Sequence, residues 1–319
     1  MDLLRVARAA LLAGLTSAAV AVPLPAQGLE VALTFDDLPA NCTVDDFEVH
    51  ASLTRDLLRA LAAAGIEATA FVNEVKLEEA GLVADRRVAL LEAWLEGGHT
   101  LGNHSYSHPS LFTTPLEAFE QDVLDGERVL RPLLQARGTT PRYFRHPFLN
   151  TGPTIEVRDA FVEFLDAHGY AVAPVTIDNH EWIYARAYDR ALDAADGELA
   201  ERLGEAYIDY MDEVVAYYEA QSEAFLGRQI KQVLLLHANR LNAARLPELI
   251  AGLRKRGYRF VTLESALEDS AYDLPDAYAG RGGITWLHRW ALTAGKRGEF
   301  FAGEPPAPAW VSAAAGLSE

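Results

Sequence analysis

Cysteine is almost missing: Cys42 is the only one in 319 residues. No disulfide can form within the chain, so the fold has to rest on its apolar core. Cys42 stands near two paired carboxylates, but nothing around it marks a thiolate nucleophile, and it reads as a buried structural residue. Basic residues are scarce too, with 28 Lys and Arg against 46 Asp and Glu and a formal charge of −18. No basic stripe is available to neutralise phosphates, which excludes nucleic acid as a partner and disfavours an anionic membrane surface. The apolar run Ala9 to Val22 is too short for a comfortable transmembrane span. With Arg5 and Arg8 before it and Pro23 to Gln27 after it, the run has the form of a signal peptide, residues 1–26, cleaved after Ala26. Export to the periplasm or the medium is expected, without stable membrane insertion after cleavage; an uncleaved anchor is the alternative. No short internal period of the solenoid kind is present.

Half of the residues are hydrophobic, enough for one large α/β domain. Val31-Ala32-Leu33-Thr34-Phe35 reads as a buried strand, and Asp36 and Asp37 follow at once. Carboxylates at the C-terminal end of an apolar strand are costly unless paired or metal-bound, and α/β folds place their chemistry there. Helical and strand patterns then alternate. Helices are expected at Asp46 to Ala64, Arg86 to Glu96, Thr114 to Leu134, Ile155 to His168 and Leu246 to Lys255. Strands are expected at Ala68 to Val72, His99 to Gly102, Tyr143 onward, Tyr170 to Ile177, Val233 to Leu236 and Tyr258 to Leu263. This alternation implies a parallel sheet and favours a barrel. The tail from Asp276, rich in Gly and Pro, reads as irregular coil, with Trp286 and Trp290 anchoring it.

His104 and His108 stand four apart, a spacing that puts both imidazoles on one face of a helical turn. Two such histidines and one carboxylate make a three-ligand site with an open position, the pattern of catalytic zinc. His50, His99, His168 and His288 read as structural or exposed. The series Tyr207, Tyr210, Tyr217, Tyr218 has near-helical spacing and reads as core packing.

Thr34-Phe35-Asp36-Asp37, His104-Ser105 with His108, Arg145-His146-Pro147-Phe148, Glu181-Trp182 and Leu234-Leu235-Leu236-His237 resemble, in order, five motifs of the NodB-homology polysaccharide deacetylases, carbohydrate esterase family 4. The resemblance covers roughly residues 29–263. It implies a distorted (β/α) barrel and metal-assisted hydrolysis of an acetyl group on a sugar. It further implies Asp36 as general base and Asp37, His104 and His108 as ligands of a divalent metal, Zn²⁺ foremost, with Co²⁺ or Ni²⁺ as alternatives. Arg145 would orient the base, and His237 would be the general acid, tuned by Glu181 or Asp178. The main-chain N–H of Phe148 would hold the oxyanion, with Pro147, His146 and Trp182 beside the substrate.

Several positions depart from the family pattern. Leu38 stands where Gly is usual, Phe148 replaces Tyr, and Glu181 replaces the commoner Asp. A helical insert, 184–228, lengthens the stretch before the last motif. The expected organisation is a deacetylase domain over 27–275 and a C-terminal tail over 276–319 packed on it. The expected function is an exported hydrolase that removes acetyl groups, N-acetyl foremost, from peptidoglycan or another N-acetylglucosamine polymer. A hydrolase of a non-sugar amide and a non-catalytic glycan-binding relative are the alternatives.

Overall fold

The computed structural model describes residues 28–317, so the expected signal peptide, 1–26, lies outside the described residues. Among the described residues nine strands occur in chain order: β1 (Glu30–Leu38), β2 (Thr69–Val72), β3 (Glu78–Glu79), β4 (Leu82–Val83), β5 (Thr100–Asn103), β6 (Tyr143–Phe144), β7 (Ala171–Val172), β8 (Lys231–His237) and β9 (Arg259–Phe260). The helices that matter for the site are α1 (Phe47–Ala64), α2 (Asp85–Glu96), α3 (Leu116–Asp125), α4 (Leu130–Gln135), α5 (Ile155–Ala167), α6 (Glu181–Asp193), α7 (Gly197–Leu226) and α8 (Arg240–Lys255). Three short ones follow: α9 (Leu263–Leu267), α10 (Trp286–Thr293) and α11 (Ala309–Ala314). Among the described residues no helix is long and apolar enough to cross a membrane.

β1 is buried from Val31 to its last residue because it lies inside a parallel sheet covered on both faces. The sheet runs β7-β6-β5-β2-β1-β8, with β9 beside the start of β1, while β3 and β4 form a separate small ribbon. Ile177, five residues beyond β7, bridges Leu234 of β8 in parallel. The segment after β7 therefore spans both ends of the sheet path and curls it toward a barrel. Helices cover the outside, and Phe35, Trp94, Leu57, Tyr207, Val214 and Leu241 share one continuous core.

Local chemistry sets the helix ends. Asp46 caps α1 by accepting from the Val49 N–H (3.1 Å), and Gly65 closes it at φ 65°. The single helix expected over 114–134 is two helices, α3 and α4, broken at Gly126. A Cβ on Gly126 would lie 2.6 Å from the backbone carbon of Ser105, so the break lets the loop carrying His104 and His108 pass close by. Buried Glu74 then starts α4, accepting from the N–H groups of Val129 (2.9 Å) and Leu130 (2.7 Å). The tail is not irregular coil throughout: it holds α10 and α11, with Trp286 and Trp290 buried. Over 184–228 the chain is helical, and Tyr207, Tyr210 and Tyr218 are core residues.

Candidate active site

The C-terminal ends of β1 and β8 face one cleft. Their register pairs Asp36 with His237, so strand pairing alone sets the two side by side. A regular strand would send Asp37 to the opposite face. Instead the β1–β2 register slips between Phe35 and Leu38, and Asp37 sits at φ 70°, which turns its carboxylate back to the cleft. That left-handed backbone costs about 1–2 kcal/mol for a non-glycine residue.

His104 and His108 follow β5 in a loop, not the helical turn that their spacing suggests. Ser105 and His108 are left-handed (φ 66° and 60°), and this brings the two rings to 4.8 Å between centroids. The loop is tied down by Asn103, whose Oδ1 accepts from the Ser105 N–H (2.6 Å), and by Ser105 Oγ, which accepts from the His108 N–H (3.1 Å). Asn73 Nδ2 donates to the His104 carbonyl (2.6 Å). His104 Nδ1 donates to the Arg145 carbonyl (2.8 Å), which leaves Nε2 aimed at the acid pair.

Asp37 Oδ1 lies 3.8 Å from His104 Nε2 and 3.7 Å from His108 Nε2, and the three donor atoms lie within 4.8 Å of one another. Oδ1 is fully buried and has no hydrogen-bond partner, whereas Oδ2 accepts from Asn41 Nδ2 (2.6 Å). Burial holds both imidazoles below their usual pKa, so both are neutral near pH 7, as ligands must be. Burial would raise Asp37, yet its charged neighbours, the Lys76 ammonium foremost, hold it well below the carboxylate range. Two neutral imidazoles and one carboxylate whose buried Oδ1 receives no hydrogen bond suit a divalent cation of the zinc type.

Asp36 is buried, with Oδ1 3.5 Å from Arg145 Nη1 and Oδ2 3.7 Å from His104 Nε2. The resemblance places the general base here. In the metal-free protein burial outweighs Arg145 and pushes Asp36 up to about 6. Arg145 is itself fully buried; Nη2 donates to Thr34 Oγ1 (3.0 Å), and Nε and Nη1 have no hydrogen-bond partner.

His237 Nδ1 donates to Glu181 Oε2 (2.7 Å). Burial would depress the imidazolium, but the Glu181 carboxylate outweighs it and lifts His237 to about 9. Glu181 is fixed in turn, since its Oε1 accepts from Asn242 Nδ2 (2.8 Å) and from Asn239 Nδ2. Of the two carboxylates considered from the sequence, Glu181 is the one in contact with His237. Asp178 also lines the cleft, accepts from the Asn179 N–H (2.8 Å), and is pushed up to about 6 by burial.

The cleft measures about 690 Å³, and Phe148 and Trp182, 60% and 45% exposed, stand in its wall. Phe148 packs its ring edge-on against His108, 4.5 Å between centroids. Its backbone is left-handed, and the hydrogen bonds of its turn run from Leu149 N–H to His146 O (3.0 Å) and from Asn150 N–H to Pro147 O (3.1 Å), leaving the Phe148 N–H out. The expectation that His146 and Pro147 lie beside the substrate is corrected. Both are buried away from the cleft wall; His146 sits among Phe144, Phe161 and Trp286, and burial depresses it to about 3. Alternation along the chain past Arg145 turns this ring into the aromatic core.

Sequence reading missed Lys76, whose Nζ lies 3.4 Å from Asp37 Oδ1 and donates to the Asp37 carbonyl (3.3 Å). No spacing or motif marks it. It missed Asn41, Asn239 and Asn242 as well. Only Asn239 carried a signal, as the N-cap of α8 two residues after His237, accepting from the Asn242 N–H (2.8 Å).

Residues 25–172 match the family model described as polysaccharide deacetylase. A peptidoglycan-N-acetylglucosamine deacetylase of Bacillus cereus is 26% identical over 158 residues, 50% of this chain and 48% of its own length. A chitin deacetylase of Pestalotiopsis is 28% identical over 151 residues, 47% and 43% of the two chains. The chain thus spans about half the length of the curated relatives it matches. Among solved structures, peptidoglycan deacetylase PdaC of Bacillus subtilis has TM-score 0.50 at 21% identity, covering 76% of this chain and 91% of that one. A family 4 pseudoenzyme of Bacillus anthracis has TM-score 0.51 at 16% identity, covering 76% and 66%. These two likenesses establish the curled parallel-sheet fold. The ordered motifs on that fold, together with the match over residues 25–172, make this chain similar to the NodB-homology polysaccharide deacetylases, carbohydrate esterase family 4.

Proposed function

We propose that the protein is a metal-dependent hydrolase that removes N-acetyl groups from an exported glycan, peptidoglycan or another N-acetylglucosamine polymer. One observation carries this reading. The triad Asp37, His104 and His108 shares one cleft with a buried acid–Arg pair, Asp36 and Arg145, and a His–carboxylate pair, His237 and Glu181. Bound by the triad, a divalent cation supplies Lewis acidity to the acetyl carbonyl and lowers the pKa of water. Asp36 takes the proton of the attacking water, and Arg145 keeps its carboxylate oriented. The Phe148 N–H donates to the oxyanion as the carbonyl carbon becomes tetrahedral. His237, protonated near neutrality through Glu181, delivers its proton to the departing amine nitrogen. Phe148 and Trp182 offer apolar faces to sugar rings. The signal-like N-terminus supports an envelope substrate, in the periplasm or outside the cell.

A protein that only binds glycan would have no need of an imidazole held protonated opposite a buried acid. Acetate release from N-acetylglucosamine polymers and from O-acetylated xylan, with and without chelator, tests the proposal. Release from the amino-sugar polymers that stops on chelation and returns with added Zn²⁺ is the expected outcome. Binding without any acetate release in the metal-loaded protein would sink the enzyme reading.

A further inference from the structure

The Phe148 N–H depends on a loop whose backbone would not hold its shape alone. Phe148 and Leu149 are consecutive non-glycine residues in the left-handed region, at φ 56° and 52°. Something outside the loop must keep them there. The segment that lies against them is the C-terminal tail. A Cβ built on Gly283 would sit 1.6 Å from the Phe148 carbonyl oxygen and 3.1 Å from the Leu149 carbonyl carbon, so backbone rests directly on backbone. Asn150 Nδ2 donates to the carbonyls of Gly280 (3.2 Å) and Arg281 (3.0 Å), while its Oδ1 accepts from the Gly152 N–H (3.0 Å). The Gly280 N–H closes the contact on the Gly152 carbonyl (3.3 Å). Behind the strap, buried Arg289 on α10 donates to Thr151 Oγ1 (2.8 Å) and to Asp276 Oδ2 (2.8 Å), tying the loop to the tail.

We infer that Gly280–Gly283 is a positioning strap for the oxyanion donor: tail backbone pressed on Phe148 and Leu149 aims the Phe148 N–H at the reacting carbonyl. The position of Gly283 demands glycine for want of space, not for its φ. Gly282 differs: a Cβ there meets only the Tyr278 hydroxyl at 3.4 Å and Ile284 at 3.9 Å. This inference rests on the proposed role of the Phe148 N–H.

The test compares Gly283→Ala with Gly282→Ala in the full, metal-loaded protein. Gly283→Ala is expected to cut kcat on an N-acetylated chitooligosaccharide by on the order of 10²-fold, the worth of one oxyanion donor. KM should stay within about twofold and metal content should be unchanged. In protein labelled with ¹⁵N-phenylalanine, the Phe148 amide cross-peak should move in Gly283→Ala and stay in place in Gly282→Ala. If Gly283→Ala does not fold, Asn150→Asp releases the strap without a collision and should lower kcat roughly tenfold at unchanged KM. A wild-type protein that releases no acetate sinks the activity, and the amide then still decides the strap. An unshifted Phe148 amide in the folded variant overturns it, whatever happens to the rate.

Discussion

The imidazole of His237 touches one carboxylate, and the charge on Glu181 sets where the ring titrates. Its folded pKa of about 9 lies above the unfolded value of ~6.5, so the pair contributes stability that is fully present below ~6.5 and lost as pH rises through 9. Glu181→Gln removes the charge and leaves burial, which pushes the ring the other way. The basic limb of the kcat/KM profile should therefore move from near 9 to ~6.5 or below, and the melting temperature lost by the variant should be larger at pH 6 than at pH 10. An unmoved basic limb would detach His237 from the acid role. Lys76 presents a second residue-scale case, a cation 3.4 Å from the oxygen that would bind the metal. Two like charges around one carboxylate oxygen repel, although the partly exposed ammonium is screened. Lys76→Met should tighten Zn²⁺ binding on the order of tenfold in a chelator competition, and metal addition should raise its melting temperature more than that of the wild type. Weaker binding by Lys76→Met would mean that Lys76 instead holds Asp37 in place for the metal.

At the scale of elements, α7 supports the His237–Glu181 pair from behind. Tyr207 donates to Asn242 Oδ1 (2.7 Å), and Asn242 Nδ2 donates to Glu181 Oε1 (2.8 Å) and the His237 carbonyl (2.9 Å). Departure from the family pattern marks 184–228 as a helical insert before the last motif. Tyr207, Met211, Val214 and Tyr218 share the core of β1 and β8, so deleting α7 would open that core. Tyr207→Phe leaves the ring and removes one buried hydrogen bond, and it should cost about 1–2 kcal/mol in urea unfolding. Tyr207→Ala adds a cavity and should cost about 3–5 kcal/mol. Equal costs for the two would place the energy in the hydroxyl alone. Helix type over this region was legible because its apolar positions keep a helical period. Core packing of Tyr207, Tyr210 and Tyr218 was legible too; which strands that face meets was not, since strand register decides it.

For the molecule as a whole, Asp36 and Asp178 couple the metal site to acid stability. Both carboxylates are raised to about 6 in the metal-free protein, above the ~3.9 of the unfolded chain. The folded state then holds more protons between those values, so metal-free stability falls as pH climbs from ~4 through 6 and levels off above. A cation at Asp37 favours ionised Asp36 and opposes that trend, while protons compete with it for the two imidazoles. Melting temperatures measured from pH 7 to pH 5 should therefore rise for chelated protein, and the increment added by Zn²⁺ should shrink. A chelated protein that loses stability over that range would show that the buried neutral histidines, such as His104 and His146, whose pKa burial holds below the unfolded ~6.5, dominate. The sequence by itself determined the chemistry of the site: the parallel-sheet class, the carboxylate pair after an apolar strand, the two histidines, Arg145, Phe148 and the terminal His237. These were readable because each lies at a strand end or within a few residues of another member, and residue type with short spacing survives without coordinates. Only the tertiary structure decided between Glu181 and Asp178, turned His146 into the core, set Lys76 beside Asp37 and laid Gly283 on Phe148. Those contacts join segments tens to hundreds of residues apart, and strand register, left-handed turns and close backbone packing, none of which has a local signature, determine where they meet.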